Sequence, residues 1–133
     1  MNVWSNSVLP RSTTSPALAA IAIALLCAAD PAGATGNAAR GQTLYKGCAD
    51  CHSITENNVG PMHKGVVGRK SAALDDFRYS NPMKRANLVW DAANLRAYLI
   101  DPQSKVKGNR MPFGGVADPA EADDLVAYLQ SYK

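Results

Sequence analysis

Cys48-Ala49-Asp50-Cys51-His52 is the stretch on which the reading of this chain turns. Two thiols three positions apart, followed at once by an imidazole, form an attachment pattern for c-type haem. The chemistry needs these residue types at this spacing. Two cysteines on one helical turn can each form a thioether to one haem vinyl group, and the adjacent His is then held close to the iron, where a ring nitrogen becomes an axial ligand. Attachment at three neighbouring points keeps such a cofactor from dissociating, so it becomes a permanent part of the fold.

Two other readings compete for the pentapeptide: a redox Cys-x-x-Cys of the thioredoxin kind, and half of a zinc site. A thioredoxin motif opens a helix after a β-strand, yet the residues before Cys48, from Ala38 to Lys46, read as helix. A structural zinc site usually takes four ligands. Beyond position 52 the chain has no further cysteine and only one more histidine, His63.

The first quarter of the 133 residues does not read as part of the fold. Residues 1 to 16 are polar with one basic residue, Arg11, and no acid. Ala17 to Ala29 is an unbroken apolar run, followed by Asp30, Pro31 and the small-residue triplet Ala32-Gly33-Ala34. That order describes a secretory signal peptide over 1–34, cut after Ala34. A membrane anchor is the competing reading, but the apolar run is well short of the roughly 20 residues that span a bilayer. Cys27 lies inside the run behind Leu26, where a lipid-attachment cysteine would need a small residue before it. Cleavage after Ala34 therefore leaves only Cys48 and Cys51, with no structural disulfide.

Residues 35–133 then form one small domain, of a size usual for a single core. They hold 13 Lys plus Arg against 10 Asp plus Glu, and two haem propionates would bring the net charge of +3 close to +1. The distribution says more than the total. Lys64, Arg69, Lys70, Lys84, Arg85, Lys105, Lys107 and Arg110 fall in the middle, whereas Asp118, Glu121, Asp123 and Asp124 cluster near the end. Such runs are usually solvated faces, but these basic residues flank the proposed cofactor segments and fit a docking surface.

Three helices are expected. Asn37 caps the first, Ala38 to Lys46, in which Gly41 costs about 1 kcal/mol against Ala and so suggests a second backbone close by. The second is bounded by Trp90-Asp91 and Asp101-Pro102, with Pro102 fixing its end. The third has Asp118 as cap, Pro119 at the first helical position and Glu121 three residues after the cap, with Ala122, Leu125, Tyr128 or Leu129, and Tyr132 on its apolar face. Ser53 to Asp75 and Gln103 to Ala117 read as irregular loops, long enough that wrapping a cofactor would account for them. No strand pattern stands out. The fold class is all-α, and such small helices need the haem's apolar surface to complete their core.

Function then depends on the iron's second axial position. A protein side chain there closes the iron and suits electron transfer; an open position allows substrate binding. The candidates are Met62, Met83, Met111 and His63. Met111 stands out because it lies in a loop flanked by glycine and proline (Gly108 to Gly115), far enough from His52 to reach the opposite haem face. Met62 and His63 follow His52 too closely, and Met83 sits in a polar, basic stretch.

With these residues in place, the chain from 35 onward resembles class I cytochrome c, in particular the mitochondrial type and its bacterial relatives. Gly60-Pro61 through Gly65-Val66-Val67-Gly68-Arg69-Lys70 is similar to that family's proximal loop, and Tyr79, Trp90, Tyr98-Leu99, Pro102, Met111 and the ending Asp124 to Leu129 match in order. The resemblance implies a small cytochrome c fold of three main helices and loops around one covalent haem. It implies that the Pro61 carbonyl accepts a hydrogen bond from the second His52 nitrogen, that Tyr79 and Trp90 bond a buried propionate, and that Tyr98 sits near the Met111 sulfur. Gly41 with Leu44 or Tyr45 would cross Leu125 and Tyr128. Three positions depart from the pattern: His63 for an apolar residue, Met83 for Asn, and Asn109 for Thr. From its place beside the proximal loop, protonation of His63 is expected to make the potential fall as pH rises through its pKa.

The expected function is a soluble periplasmic one-electron carrier with His52 and Met111 as axial ligands and Cys48 and Cys51 as haem anchors. Expected partners are redox proteins such as a quinol-oxidising complex and a terminal oxidase or reductase, met through a basic surface around the haem edge. No nucleic acid is expected, and the chain is read as a monomer. The same fold would also serve as a haem c subunit of a larger oxidoreductase. A haem enzyme or ligand sensor with labile Met ligation is disfavoured, because no acid and base pair accompanies an open haem face.

Overall fold

The computed structural model describes Met1 and residues 36–133; the expected signal peptide, its cut site at Ala34 and Cys27 lie outside the described residues. Helix starts follow the capping residues. Asn37 opens α1 (Ala38–Leu44) by accepting the Arg40 N–H at 3.0 Å. Asp91 does the same for α3 (Ala92–Ile100), taking the Asn94 N–H at 2.7 Å, and Asp118 for α5 (Pro119–Gln130), taking the Ala120 N–H at 2.9 Å. Each carboxylate or amide oxygen satisfies an N–H that the first helical turn would leave unpaired.

Three details differ from expectation. The first helix is α-helical only to Leu44 and tightens into a 3-10 turn over Tyr45–Gly47. A short helix, α2 (Asn81–Arg85), starts at Ser80, whose hydroxyl accepts the Met83 N–H, with a proline in its first turn. Pro102 ends α3 as expected, but it also opens α4 (Pro102–Lys105), because Asp101 caps that helix through the Ser104 N–H at 2.9 Å. Proline lacks the N–H needed to continue one helix and suits the first turn of the next. The two short helices carry too few residues to show a periodic apolar face. Among the described residues the only sheet-like contact is an isolated antiparallel bridge between Lys70 and Val89.

The fold closes where α1 crosses α5. At Gly41 a side chain would collide with the Asp124 carbonyl oxygen and the Tyr128 Cβ, which accounts for glycine inside a helix. Asp124 itself is buried and accepts the Asn37 N–H at 2.6 Å, while Arg40 approaches its other oxygen at 2.6 Å. An ion pair between Arg96 and Asp123 (2.8 Å) links α3 to α5. Tyr45, Leu95, Leu99, Leu125, Val126 and Leu129 are core residues, and several of them also face the cleft described next. Among the described residues no helix is long and apolar enough to cross a membrane.

Candidate functional site

The end of α1 sets the anchor. Its 3-10 turn runs on through hydrogen bonds from Cys48 N–H to the Tyr45 carbonyl (2.8 Å) and from His52 N–H to the Cys48 carbonyl (2.9 Å), so Cys48, Cys51 and His52 share one coil of chain. Both cysteines are free thiols and half-buried. Burial, then the neighbouring Cys51, pushes the Cys48 thiol up. A redox Cys-x-x-Cys needs the opposite shift, toward thiolate, so this pair is poorly suited to thiol exchange. Among the described residues no group of three or more His, Cys, Asp or Glu side chains gathers as zinc would require.

His52 is oriented from behind. Its Nδ1 lies 2.8 Å from the Pro61 carbonyl oxygen. A carbonyl can only accept, so Nδ1 carries the hydrogen and Nε2 keeps a free lone pair. Burial lowers the His52 pKa, with the bond to Pro61 acting in the other direction, so the ring is held neutral and able to donate to a metal. Gly60 lets the loop pass this close: a Cβ there would overlap the imidazole.

Behind His52 lies His63, its ring stacked on the first with centroids 4.1 Å apart and planes at 18°. Its Nδ1 is 3.0 Å from the Tyr45 hydroxyl. Burial, His52 and Arg69 push the His63 pKa down to about 3. The expected fall in potential as pH rises through the His63 pKa is thereby moved well below neutral, and this imidazole is neutral at pH 7. Arg69 departs from expectation too. Instead of joining an exposed basic face, it turns inward and donates to the Met62 and Lys64 carbonyls at 2.7 and 3.2 Å, fixing the segment that carries His63.

On the other side of the site, the Tyr98 hydroxyl lies 3.8 Å from the Met111 sulfur, and burial pushes the phenol up to about 12, keeping it a donor. The Met111 N–H is bonded to Asn109 Oδ1 at 2.9 Å. Between these parts opens a largely apolar cleft of about 840 Å³, within the roughly 300–1,000 Å³ of small-molecule and cofactor pockets. All eight residues singled out from the sequence line it: Cys48, Cys51, His52, Pro61, Tyr79, Trp90, Tyr98 and Met111. His63 and Met83 line it as well, whereas Met62 does not. Two half-buried thiols, a neutral imidazole with a free lone pair and a thioether around one apolar cleft are a donor set that fits haem. Sequence reasoning missed the Tyr45–His63 bond and the Asn109 contacts, since neither residue type signals such pairing at those spacings.

The cytochrome c family profile matches residues 38–133. Cytochrome c2 of Agrobacterium tumefaciens is 42% identical over 100 residues, covering 71% of this chain and 90% of its own. Cytochrome c2 of Blastochloris viridis is 36% identical over 111 residues, covering 81% of this chain and 87% of its own. Among solved structures, cytochrome cH from Methylobacterium extorquens matches with a TM-score of 0.70 at 42% identity, covering 72% of this chain and 99% of its own. The chain therefore belongs to the cytochrome c family, as an electron carrier with covalently bound haem c.

Proposed function

We propose that this chain is a monomeric periplasmic one-electron carrier in which His52 and Met111 are the two axial ligands of the haem iron. The supporting observation is that both side chains line one cleft, the His52 ring held by the Pro61 carbonyl and the Met111 sulfur 3.8 Å from the Tyr98 hydroxyl. Haem supplies the Fe(III)/Fe(II) couple. Cys48 and Cys51 would hold the haem as thioethers, each by addition of its S–H across a vinyl group with no net oxidation. His52 would bind the iron through Nε2 and Met111 through its thioether, a soft ligand that would favour ferrous iron and raise the potential. Tyr79 and Trp90 line the cleft and would offer an O–H and an indole N–H to a haem propionate. With both iron positions taken by side chains, the site would pass electrons and admit no substrate.

Export follows from the apolar run at Ala17 to Ala29 and the small-residue triplet ending at Ala34. Lys84, Arg85, Lys107 and Arg110 are exposed, with Arg78 and Arg110 on the cleft lining, and they suit a small transient interface with acidic redox partners. A quinol-oxidising complex as donor and a terminal oxidase or reductase as acceptor fit this role. The ferric protein should show the far-red thioether-to-iron charge-transfer band, and Met111→Ala should lose it while keeping covalent haem. A band that survives Met111→Ala would assign the ligand elsewhere.

A further inference from the structure

Asn109 is one of two buried polar or charged residues among the described residues, and it sits two positions before Met111. Both amide hydrogens and the amide oxygen are engaged. Nδ2 donates to the Pro102 carbonyl at 2.9 Å and to the Val106 carbonyl at 3.0 Å, while Oδ1 accepts the Met111 N–H at 2.9 Å. The opposite amide orientation would set NH2 against an N–H and oxygen against two carbonyls, so the network leaves one choice. Gln103 adds a second tie from α4, accepting the Gly108 N–H at 3.1 Å and donating to the Asn109 carbonyl at 3.3 Å. The Met111 sulfur, in contrast, has one long contact, to Tyr98 at 3.8 Å, and a thioether is a weak acceptor. The backbone of Met111 is therefore held more firmly than its side chain, and it is held to α4.

We propose that Asn109 is a positioning residue that clamps Met111 to α4 and thereby sets how readily the thioether leaves the iron. The inference rests on Met111 being the axial ligand. Without the Asn109 side chain, Gln103 and the Asn109 N–H to Val106 carbonyl bond (3.1 Å) would still hold the loop as far as Asn109, but the Met111 N–H would lose its partner and the sulfur could swing away more readily. The clamp ties that motion to the loss of buried hydrogen bonds, which are expensive to leave unmade. Asn109, which also lines the cleft, thus acts through Met111 to keep out small external donors such as imidazole.

The test is imidazole binding to the ferric holoprotein, read from loss of the far-red band, in wild type and in Asn109→Ala, Asn109→Asp and Asn109→Thr. Asp keeps an acceptor for the Met111 N–H but has no hydrogens for the two carbonyls. Ala and Asp should therefore both bind imidazole about tenfold more tightly. Thr, whose hydroxyl can donate once and accept once, should fall between them and wild type. Reduced stability toward denaturant with imidazole affinity within twofold of wild type would make Asn109 merely structural and overturn the proposal. Amide exchange on the unsubstituted holoprotein covers variants that fail to fold. Saturating imidazole should speed exchange of the Met111 N–H at least tenfold, and unchanged protection would overturn the clamp. A band retained by Met111→Ala would instead reject the ligand assignment, a separate outcome.

Discussion

His63 lies ring to ring on His52, 4.1 Å between centroids, with its Nδ1 tied to the Tyr45 hydroxyl. Two imidazoles stacked this closely would repel each other if both were charged, and burial disfavours even one charge. With the His63 pKa near 3, the redox potential should show no inflection near neutral pH that depends on this residue. Redox titration of His63→Leu from about pH 6 to 8 should give the wild-type slope. A slope that changes would restore His63 as a neutral-pH switch.

The same shift affects acid stability. The folded pKa lies below the ordinary 6.5, so the stability linked to neutral His63 is fully present above about 6.5 and is lost as pH falls toward 3. Denaturant unfolding across that window should fall more steeply for wild type than for His63→Leu. Parallel curves would mean that the imidazole is not held neutral.

Gly41→Ala should destabilise the protein by about 2 kcal/mol or more, because the new methyl group meets the Asp124 carbonyl across the helix crossing. Helix propensity alone favours the change by about 1 kcal/mol. Denaturant unfolding separates the two effects by sign, and a stabilised variant would show that α1 can move away from α5.

Asp124→Ala should cost about 2 kcal/mol, since it strips the Asn37 N–H of its partner at the start of α1. Arg40→Ala should cost less, about 1 kcal/mol, because the Arg40 end of the pair is 62% exposed but the Asp124 side chain is 5% exposed and its second oxygen would lose its partner. Equal losses in unfolding experiments would place the weight on the ion pair instead of the helix cap.

Protein made without haem, as in Cys48→Ala with Cys51→Ala, should be poorly folded. Leu95, Leu99, Leu125 and Leu129 belong to the core and also face the 840 Å³ cleft, so removing the cofactor exposes the surface against which the helices pack. Circular dichroism with native-like helix content would contradict this.

Much of the fold is legible in the sequence. The anchor pentapeptide, the Asp118-Pro119 start of α5 and the Met111 loop depend on local chemistry, which a sequence states directly. The glycine at 41 even announced a close crossing, though not that its neighbour would be the Asp124 backbone. What stayed hidden depends on side chains far apart in the chain: Asp124 reaches back 87 positions to Asn37, and Tyr45 meets His63 across 18. Such long-range pairs leave no periodic trace. The inward turn of Arg69 was missed for a related reason, since a guanidinium in a basic run looks the same whether it faces solvent or two carbonyls.

The Met111 loop is fastened at both ends, by Asn109 to α4 and by the Val116 N–H to the Leu99 carbonyl at 2.9 Å. A thioether that let go of the iron would remain leashed to a short span of chain whose ends stay put. Its effective concentration at the iron would be about millimolar, as for other short tethers, and recapture would be an intramolecular event. With Met111 as the proposed ligand, the leash would make ligand loss self-correcting without requiring a strong iron–sulfur bond.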